Sequence, residues 1–159
     1  MQTFLPTANF HTSAKVLDYK RLGKQRVEGK QLLNALSPDY DKKGWRNHPA
    51  TVMWRGYENA LKQYVNIMIE EWVARGYNNT MEFYNIDGPI VYPEWLGNEK
   101  IHKSHRMNLL RKDYNYYSEH FDEIATTYEI ESYPYYWPVN DKWKVSTPDR
   151  SGTRWEDEL

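Results

Sequence analysis

The chain has 159 residues, of which 27% are charged, and a formal net charge of −1 at pH 7. This length is enough for one domain that buries its own hydrophobic core. It has no cysteine, which excludes disulfides, a thiolate nucleophile and a zinc-thiolate site and is typical of a reducing, cytoplasmic compartment. The first ten residues lack the cationic and apolar regions of a signal peptide, and no apolar run approaches the roughly 18 residues of a membrane span. We therefore expect a cytoplasmic protein with no membrane partner.

Positive charge is concentrated in two segments of this nearly neutral chain. Residues 15–62 hold 11 Lys and Arg against 5 Asp and Glu, a local balance of +6. Residues 100–112 hold five basic residues and no acidic one. Such sorting of charge indicates an anionic partner.

The segment MQTFLP is predicted to be extended, and a helix is predicted to follow it over residues 14–36. Thr12 or Ser13 supplies the N-cap, and Ser37-Pro38 ends the helix. At 100° per residue, one polar face of this helix carries five side chains. They are Arg21, Lys24, Gln25, Glu28 and Gln31.

The loop after this helix places Trp45, Arg46, Asn47 and His48 next to one another. Exposing a Trp is unfavourable, and burying the other three unpaired is costly, which favours a binding site in this loop. The alternative is structural: Trp45 enters the core and His48 caps the next helix.

A second long helical stretch is predicted over residues 50–76, with a possible break at Gly56, and an irregular connector over residues 77–98. A third helix is predicted over residues 98–117. It places His102, His105 and Arg106 on one face, where contact with phosphate or carboxylate, shared with Arg111, is favoured over a metal site. We therefore predict no metal.

The rest of the chain contains a short helix near residues 122–129 and an aromatic segment in which Pro134 and Pro138 favour an extended path. We expect an all-α fold: one compact bundle of three main helices, with an extended N-terminal segment and an aromatic C-terminal tail. The helical domain is expected to span residues 1–145, and a polar, flexible tail to span residues 146–159.

The motifs RLGKQRVEGKQLL, KGWRNHP, EEWVARGY, HKSHRMNLLRKD and PYYWPV together resemble the pyrimidine-dimer DNA glycosylase family of the phage endonuclease V type, especially its short phage and bacterial members. The resemblance spans residues 1–140. It implies a cofactor-free helical domain that binds damaged duplex DNA, flips a nucleotide and cleaves the glycosidic bond with an N-terminal amine, with possible cleavage of the abasic strand.

The resemblance also assigns roles to residues of this chain. Arg21 and Arg26 fall in the helix that carries the family's phosphate- and lesion-contacting arginines. Gln2 is too large for ordinary removal of the initiator methionine, so the reactive amine is expected on Met1. The family's catalytic glutamate follows its first arginine, a position held here by Leu22, and Glu28 is the expected substitute.

Two other functions stay open at this point. The same residues could form a pocket that sequesters a small phosphorylated nucleotide or a nucleic acid without turnover. A purely structural phage protein is the third possibility.

Overall fold

The computed structural model describes residues 2–41, 43–123, 125–149 and 151–157. Eight helices and three strands lie in these ranges. The helices are α1 (Phe10–Val16), α2 (Tyr19–Leu36), α3 (Lys43–Arg46), α4 (Pro49–Val52), α5 (Glu58–Ala74), α6 (Glu99–Lys112), α7 (Tyr114–Tyr117) and α8 (Thr127–Ser132). The strands are β1 (Tyr135–Val139), β2 (Lys142–Ser146) and β3 (Thr153–Glu156).

The expectation of an all-α fold is wrong, because the C-terminal strands form an antiparallel sheet in the order β1-β2-β3. Asn140, at φ 56°, reverses the chain between β1 and β2. Pro138 lies in β1 at the edge of the sheet, where a missing N–H is tolerated. In β2, Trp143 and Val145 are buried and alternate with lysines, the pattern of a half-buried strand. The protein is therefore mixed α and β, and residues 153–156 of the expected tail form β3.

The helix predicted over residues 14–36 is divided in two at Asp18. The Asn9 side chain caps α1, and the Asp18 side chain accepts a hydrogen bond from the Arg21 N–H and caps α2. The second predicted helix is likewise divided, and Gly56, at φ 88°, lies between α4 and α5. A glycine is suited to this turn because other residues rarely adopt a positive φ.

The core forms where α2 crosses α5. A Cβ built on Gly29 of α2 would lie 2.4 Å from Cγ2 of Val65 in α5, so only a glycine permits this approach. Trp54, Tyr64 and Leu61 are fully buried around the crossing. Helix α6 packs against β1 and α8, and a cleft lies between α2, α6 and β1.

Candidate active site

The N-terminal segment, residues 2–6, is extended and buried beside α2, α5 and α6. Its backbone hydrogen bonds go to side chains of these three helices. The Gln2 N–H donates to Glu28 Oε2 at 3.4 Å, and the Pro6 carbonyl accepts from Arg106 Nη1 at 2.8 Å. Because these partners come from three different helices, the position of this segment is set by the tertiary fold.

Gln25 lies at the centre of this arrangement and is 1% exposed. Its Oε1 accepts from the Phe4 N–H at 2.8 Å, and its Nε2 donates to the Gln2 carbonyl at 3.1 Å and to Glu28 Oε2 at 3.2 Å. The hydroxyl of Tyr64 lies 2.6 Å from the same Oε1 and 2.8 Å from the Phe4 carbonyl oxygen. Burial, together with the charge of Glu28, raises the pKa of Tyr64 well above its usual value, so the hydroxyl stays a donor.

His102 and His105 hold the two polar backbone groups of Leu5. Nδ1 of His105 accepts from the Leu5 N–H at 2.8 Å, and Nδ1 of His102 donates to the Leu5 carbonyl at 2.8 Å. The Gly97 N–H donates to the other nitrogen of His102 at 2.9 Å, so this ring is neutral with its proton on Nδ1. Burial lowers the pKa of both rings, that of His105 to about 3. Both are therefore neutral at pH 7.

A cleft of about 420 Å³ opens beside Gln2 and Glu28. It is lined by Gln2, Phe4, Lys20, Arg21, Lys24, Gln25, Glu28, Asn108, Lys112, Tyr135 and Trp137. Four of these side chains are cationic, and Glu28 is the one acidic side chain among them. The cleft is thus suited to an anion, with a single carboxylate next to the N-terminal segment.

Arg21 is held at the edge of this cleft by Asp18. Its Nη1 lies 3.1 Å from Asp18 Oδ1, which also accepts from the Tyr117 hydroxyl. Burial alone would raise the pKa of Asp18, but the hydrogen bonds from Tyr117 and Arg21 outweigh it and lower the pKa. Asp18 is therefore a stable anion that orients Arg21.

Aromatic rings form the wall of the cleft opposite α2. The rings of Tyr135 and Trp137 are stacked, with centroids 6.2 Å apart and planes inclined by 20°. The Tyr135 hydroxyl donates to Asn108 Oδ1 at 2.8 Å. His48 lies edge to face with Trp137 at 5.8 Å and at 5.1 Å from Trp45, so the loop after α2 supports this wall from behind.

The structure brings only part of the predicted site to the cleft. Arg21, Lys24, Gln25 and Glu28 line it, whereas Met1 lies outside the described residues. Trp45 is 38% exposed, and Asn47 is exposed, but neither lines the cleft.

The remaining predicted cations are engaged inside the protein. Arg106 binds Glu99, Glu123 and the Pro6 carbonyl, and Arg111 donates to the carbonyls of Ile130 and Tyr133. Arg46 donates to the carbonyls of Ser37 and Tyr40. Arg26 stacks on the Trp72 ring at 4.2 Å and donates to Asn79. His48 Nδ1 accepts from the Ala50 N–H and caps α4.

Sequence reasoning missed Lys20, Asn108, Lys112, Tyr135 and Trp137 as cleft residues. Asn108 and Lys112 lie at i and i+4 in α6, inside the basic segment that the charge pattern singled out. Because residues at i and i+4 share a helix face, this spacing could have predicted that both side chains face the same site. Tyr135 and Trp137 share one face of β1, and recognition of that strand was needed to find them.

The described ranges offer neither a candidate metal site nor a candidate membrane span. They contain no group of three or more His, Cys, Asp or Glu side chains that could hold a metal ion. None of their helices is long and apolar enough to cross a lipid bilayer.

The fold and cleft define a small mixed α and β protein with a cationic binding site, in which one carboxylate adjoins a buried N-terminal segment. A family model described as pyrimidine dimer DNA glycosylase matches residues 1–85. The chain belongs to this family, which confirms the resemblance over these residues and implies DNA as substrate. The matched region contains the N-terminal segment and α1 to α5, including Glu28. Searches of curated proteins and of solved structures find no match.

Proposed function

We propose that this protein removes a damaged or modified pyrimidine from duplex DNA, with the α-amine of Met1 as nucleophile and Glu28 as its acid and base partner. The observation that carries the proposal is the 3.4 Å bond from the Gln2 nitrogen to Glu28 Oε2 inside a cationic cleft. Residue 1 is bonded to this nitrogen, which is why its amine is the proposed nucleophile.

The chemistry needs only an amine and one carboxyl group. The amine nitrogen attacks C1′ of the sugar, the bond from C1′ to the base breaks, and the electron pair leaves with the base, which takes up a proton. The attached nitrogen then loses a proton, and the sugar ring opens as the C1′–O4′ bond breaks and O4′ takes up a proton, which gives a protonated Schiff base. An α-amine has an ordinary pKa of about 7.7–8.0, so a useful fraction is neutral and nucleophilic at cellular pH.

Strand cleavage would follow from the same intermediate. Glu28, as carboxylate, removes a proton from C2′ of the Schiff base, and the bond from C3′ to the 3′ phosphate oxygen breaks. Water then hydrolyses the imine and releases the amine. The carboxylate also stabilises the positive charge of the Schiff base, which is the electrostatic reason for an acid in an otherwise basic cleft.

Phosphate binding is assigned to Arg21, Lys24, Lys20 and Lys112, which line the cleft. Extrusion of a base costs a few kcal/mol, and the cost is least where a lesion has already weakened stacking. The wall formed by Tyr135 and Trp137 offers aromatic surface to an unstacked base.

The direct test of the role of Glu28 is the Glu28→Gln variant on a duplex with one cyclobutane pyrimidine dimer. We expect its single-turnover rate to fall by about 10²–10⁴-fold, because general acid and base catalysis contributes on that order. DNA affinity should stay equal or increase, since a negative charge is removed from a cationic site.

The matched control is Glu70→Gln, which removes an equal charge from an exposed position on α5. It should leave the rate unchanged. A Glu28→Gln protein that folds and processes the dimer at the wild-type rate would refute the assignment of Glu28.

The dimensions of the cleft favour one second candidate function. A volume of about 420 Å³ lies within the usual range for small-ligand sites, so the cleft also suits a mononucleotide or cyclic dinucleotide that is bound without turnover. Calorimetry with these free ligands separates the two functions. Tight binding together with an inert wild-type protein on dimer and abasic duplexes would favour sequestration.

A further inference from the structure

We propose that Gln25 is a positioning residue whose side-chain amide ties the N-terminal segment to Glu28, so that the nucleophile and the carboxylate keep a fixed separation. This inference rests on the proposed function. Sequence reasoning placed Gln25 among the phosphate contacts, but its side chain is buried and its four hydrogen-bonding positions face the protein.

The amide of Gln25 can adopt only one orientation. Its oxygen receives the Phe4 N–H and the Tyr64 hydroxyl, and its nitrogen donates to the Gln2 carbonyl and to Glu28. A flipped amide would place N–H groups against the Phe4 N–H and an oxygen against both the Gln2 carbonyl and the carboxylate. Two acceptors and two donors therefore fix the side chain completely.

This orientation matters because Glu28 stands among cations. Lys20, Arg21, Lys24 and Lys112 line the same cleft, and each attracts a carboxylate. Among the described residues, the salt bridge of Arg21 goes to Asp18. Glu28 instead accepts from Gln25 Nε2 at 3.2 Å and from the Gln2 nitrogen at 3.4 Å. The Gln25 amide thus directs the carboxylate toward the N-terminal segment.

Tyr64, on α5, also contributes to this hydrogen-bonded arrangement. Its hydroxyl has one proton and two acceptors, Gln25 Oε1 and the Phe4 carbonyl. The hydroxyl therefore links Gln25 to the same stretch of backbone that Gln25 already holds at Gln2 and Phe4. One amide and one phenol connect α2, α5 and the N-terminal segment into a single hydrogen-bonded unit.

The test compares Gln25→Glu with Gln31→Glu under single-turnover conditions with saturating enzyme on an abasic duplex, with borohydride trapping as the readout. The new carboxylate at position 25 keeps the shape but loses both donors, and it repels Glu28 and the Gln2 carbonyl. We expect trapping to slow by about 10²-fold, the effect of a displacement of roughly 1 Å at a reacting centre. Gln31→Glu adds the same charge to an exposed position of α2 and should trap at the wild-type rate.

The pH profile distinguishes positioning from a general loss of structure. When the new carboxyl group at position 25 is protonated, it carries one O–H donor and resembles the amide, so the rate of Gln25→Glu relative to wild type should rise as pH falls. A variant that is merely damaged would show a constant ratio. Tyr64→Phe, which removes one hydroxyl and leaves the ring in the core, should also slow trapping, by less than Gln25→Glu does.

The outcomes are separable from those of the proposed function. If the wild-type protein forms no adduct, the amine mechanism itself fails. If the wild type forms the adduct and a folded Gln25→Glu matches Gln31→Glu at every pH, the positioning role of Gln25 is refuted. If Gln25→Glu does not fold, a Tyr64→Phe rate equal to wild type refutes it.

Discussion

Acidification should weaken the attachment of the N-terminal segment through His105. The ring is 2% exposed, and its Nδ1 accepts the Leu5 N–H at 2.8 Å, a bond that protonation of this nitrogen abolishes. Burial first, and then the charges of His102 and Arg106, lower its pKa to about 3, against the hydrogen bond to Leu5, which raises it. Glu99, which raises the pKa of the neighbouring His102, is the acidic group on the same helix.

The number of protons bound by the folded and unfolded states decides whether the free energy of unfolding rises or falls with pH. In the unfolded chain the histidine pKa is about 6.5, so between that value and the folded pKa the unfolded state binds more protons. The free energy of unfolding is therefore largest above pH 6.5 and falls as the pH is lowered toward the folded value of about 3. Between pH 6 and pH 4 the loss from this one ring is about 2–3 kcal/mol, because stability changes by about 1.4 kcal/mol per pH unit where the unfolded ring is fully protonated.

The matched experiment is urea unfolding of wild type and His105→Asn over this pH range. The Asn oxygen can accept the Leu5 N–H in place of Nδ1 but does not titrate, so the two stability curves should diverge by about 2–3 kcal/mol between pH 6 and pH 4. His11→Asn, at an exposed histidine of α1, should follow the wild-type curve. Parallel stability curves for wild type and His105→Asn would refute the claim that the His105 ring is buried in its neutral form.

Two further changes test the cleft and the helix crossing. If Lys24 contacts one phosphate, Lys24→Gln should weaken DNA binding and reduce the slope of log K against log salt concentration by about 0.9. The control, Lys30→Gln on the same helix, should leave that slope unchanged. Filter binding at several salt concentrations measures both slopes. Gly29→Ala gains about 1 kcal/mol of helix propensity, but the 2.4 Å contact with Val65 costs about 1–3 kcal/mol, so thermal unfolding should show a less stable protein. Gly44→Ala meets no neighbour within 4 Å and should not destabilise.

The helical part of the site was predictable from local pattern. The face of α2 that carries Arg21, Lys24 and Glu28 follows from 100° spacing, and these residues do line the cleft. Gln25 lies on the same face but binds residues 21 and 23 positions earlier in the chain. Periodicity places a side chain on a helix face; it does not identify which distant backbone group that side chain meets.

The roles of His102 and His105 show the same limit more strongly. Their spacing, three residues apart on a basic helix, indicated an anion contact, but their partner is the backbone of Leu5, about 100 positions away in sequence. Only the tertiary fold places that segment against α6. The sheet was missed for a different reason. Pro134 and Pro138 favoured an extended path but indicated no partner strand, the alternation in β2 was short, and the edge position of β1 was not visible locally.

The proposed mechanism depends on the Met1 amine as nucleophile, with Glu28 as its acid and base partner. Borohydride trapping of wild-type protein on an abasic duplex, followed by proteolysis and mass spectrometry of the adduct, tests it most directly. We expect one adduct, located on the amine of residue 1, and we expect it to be lost when that amine is acetylated. The absence of any adduct, or an adduct on Lys20, Lys24 or Lys112 in the same cleft, would contradict it.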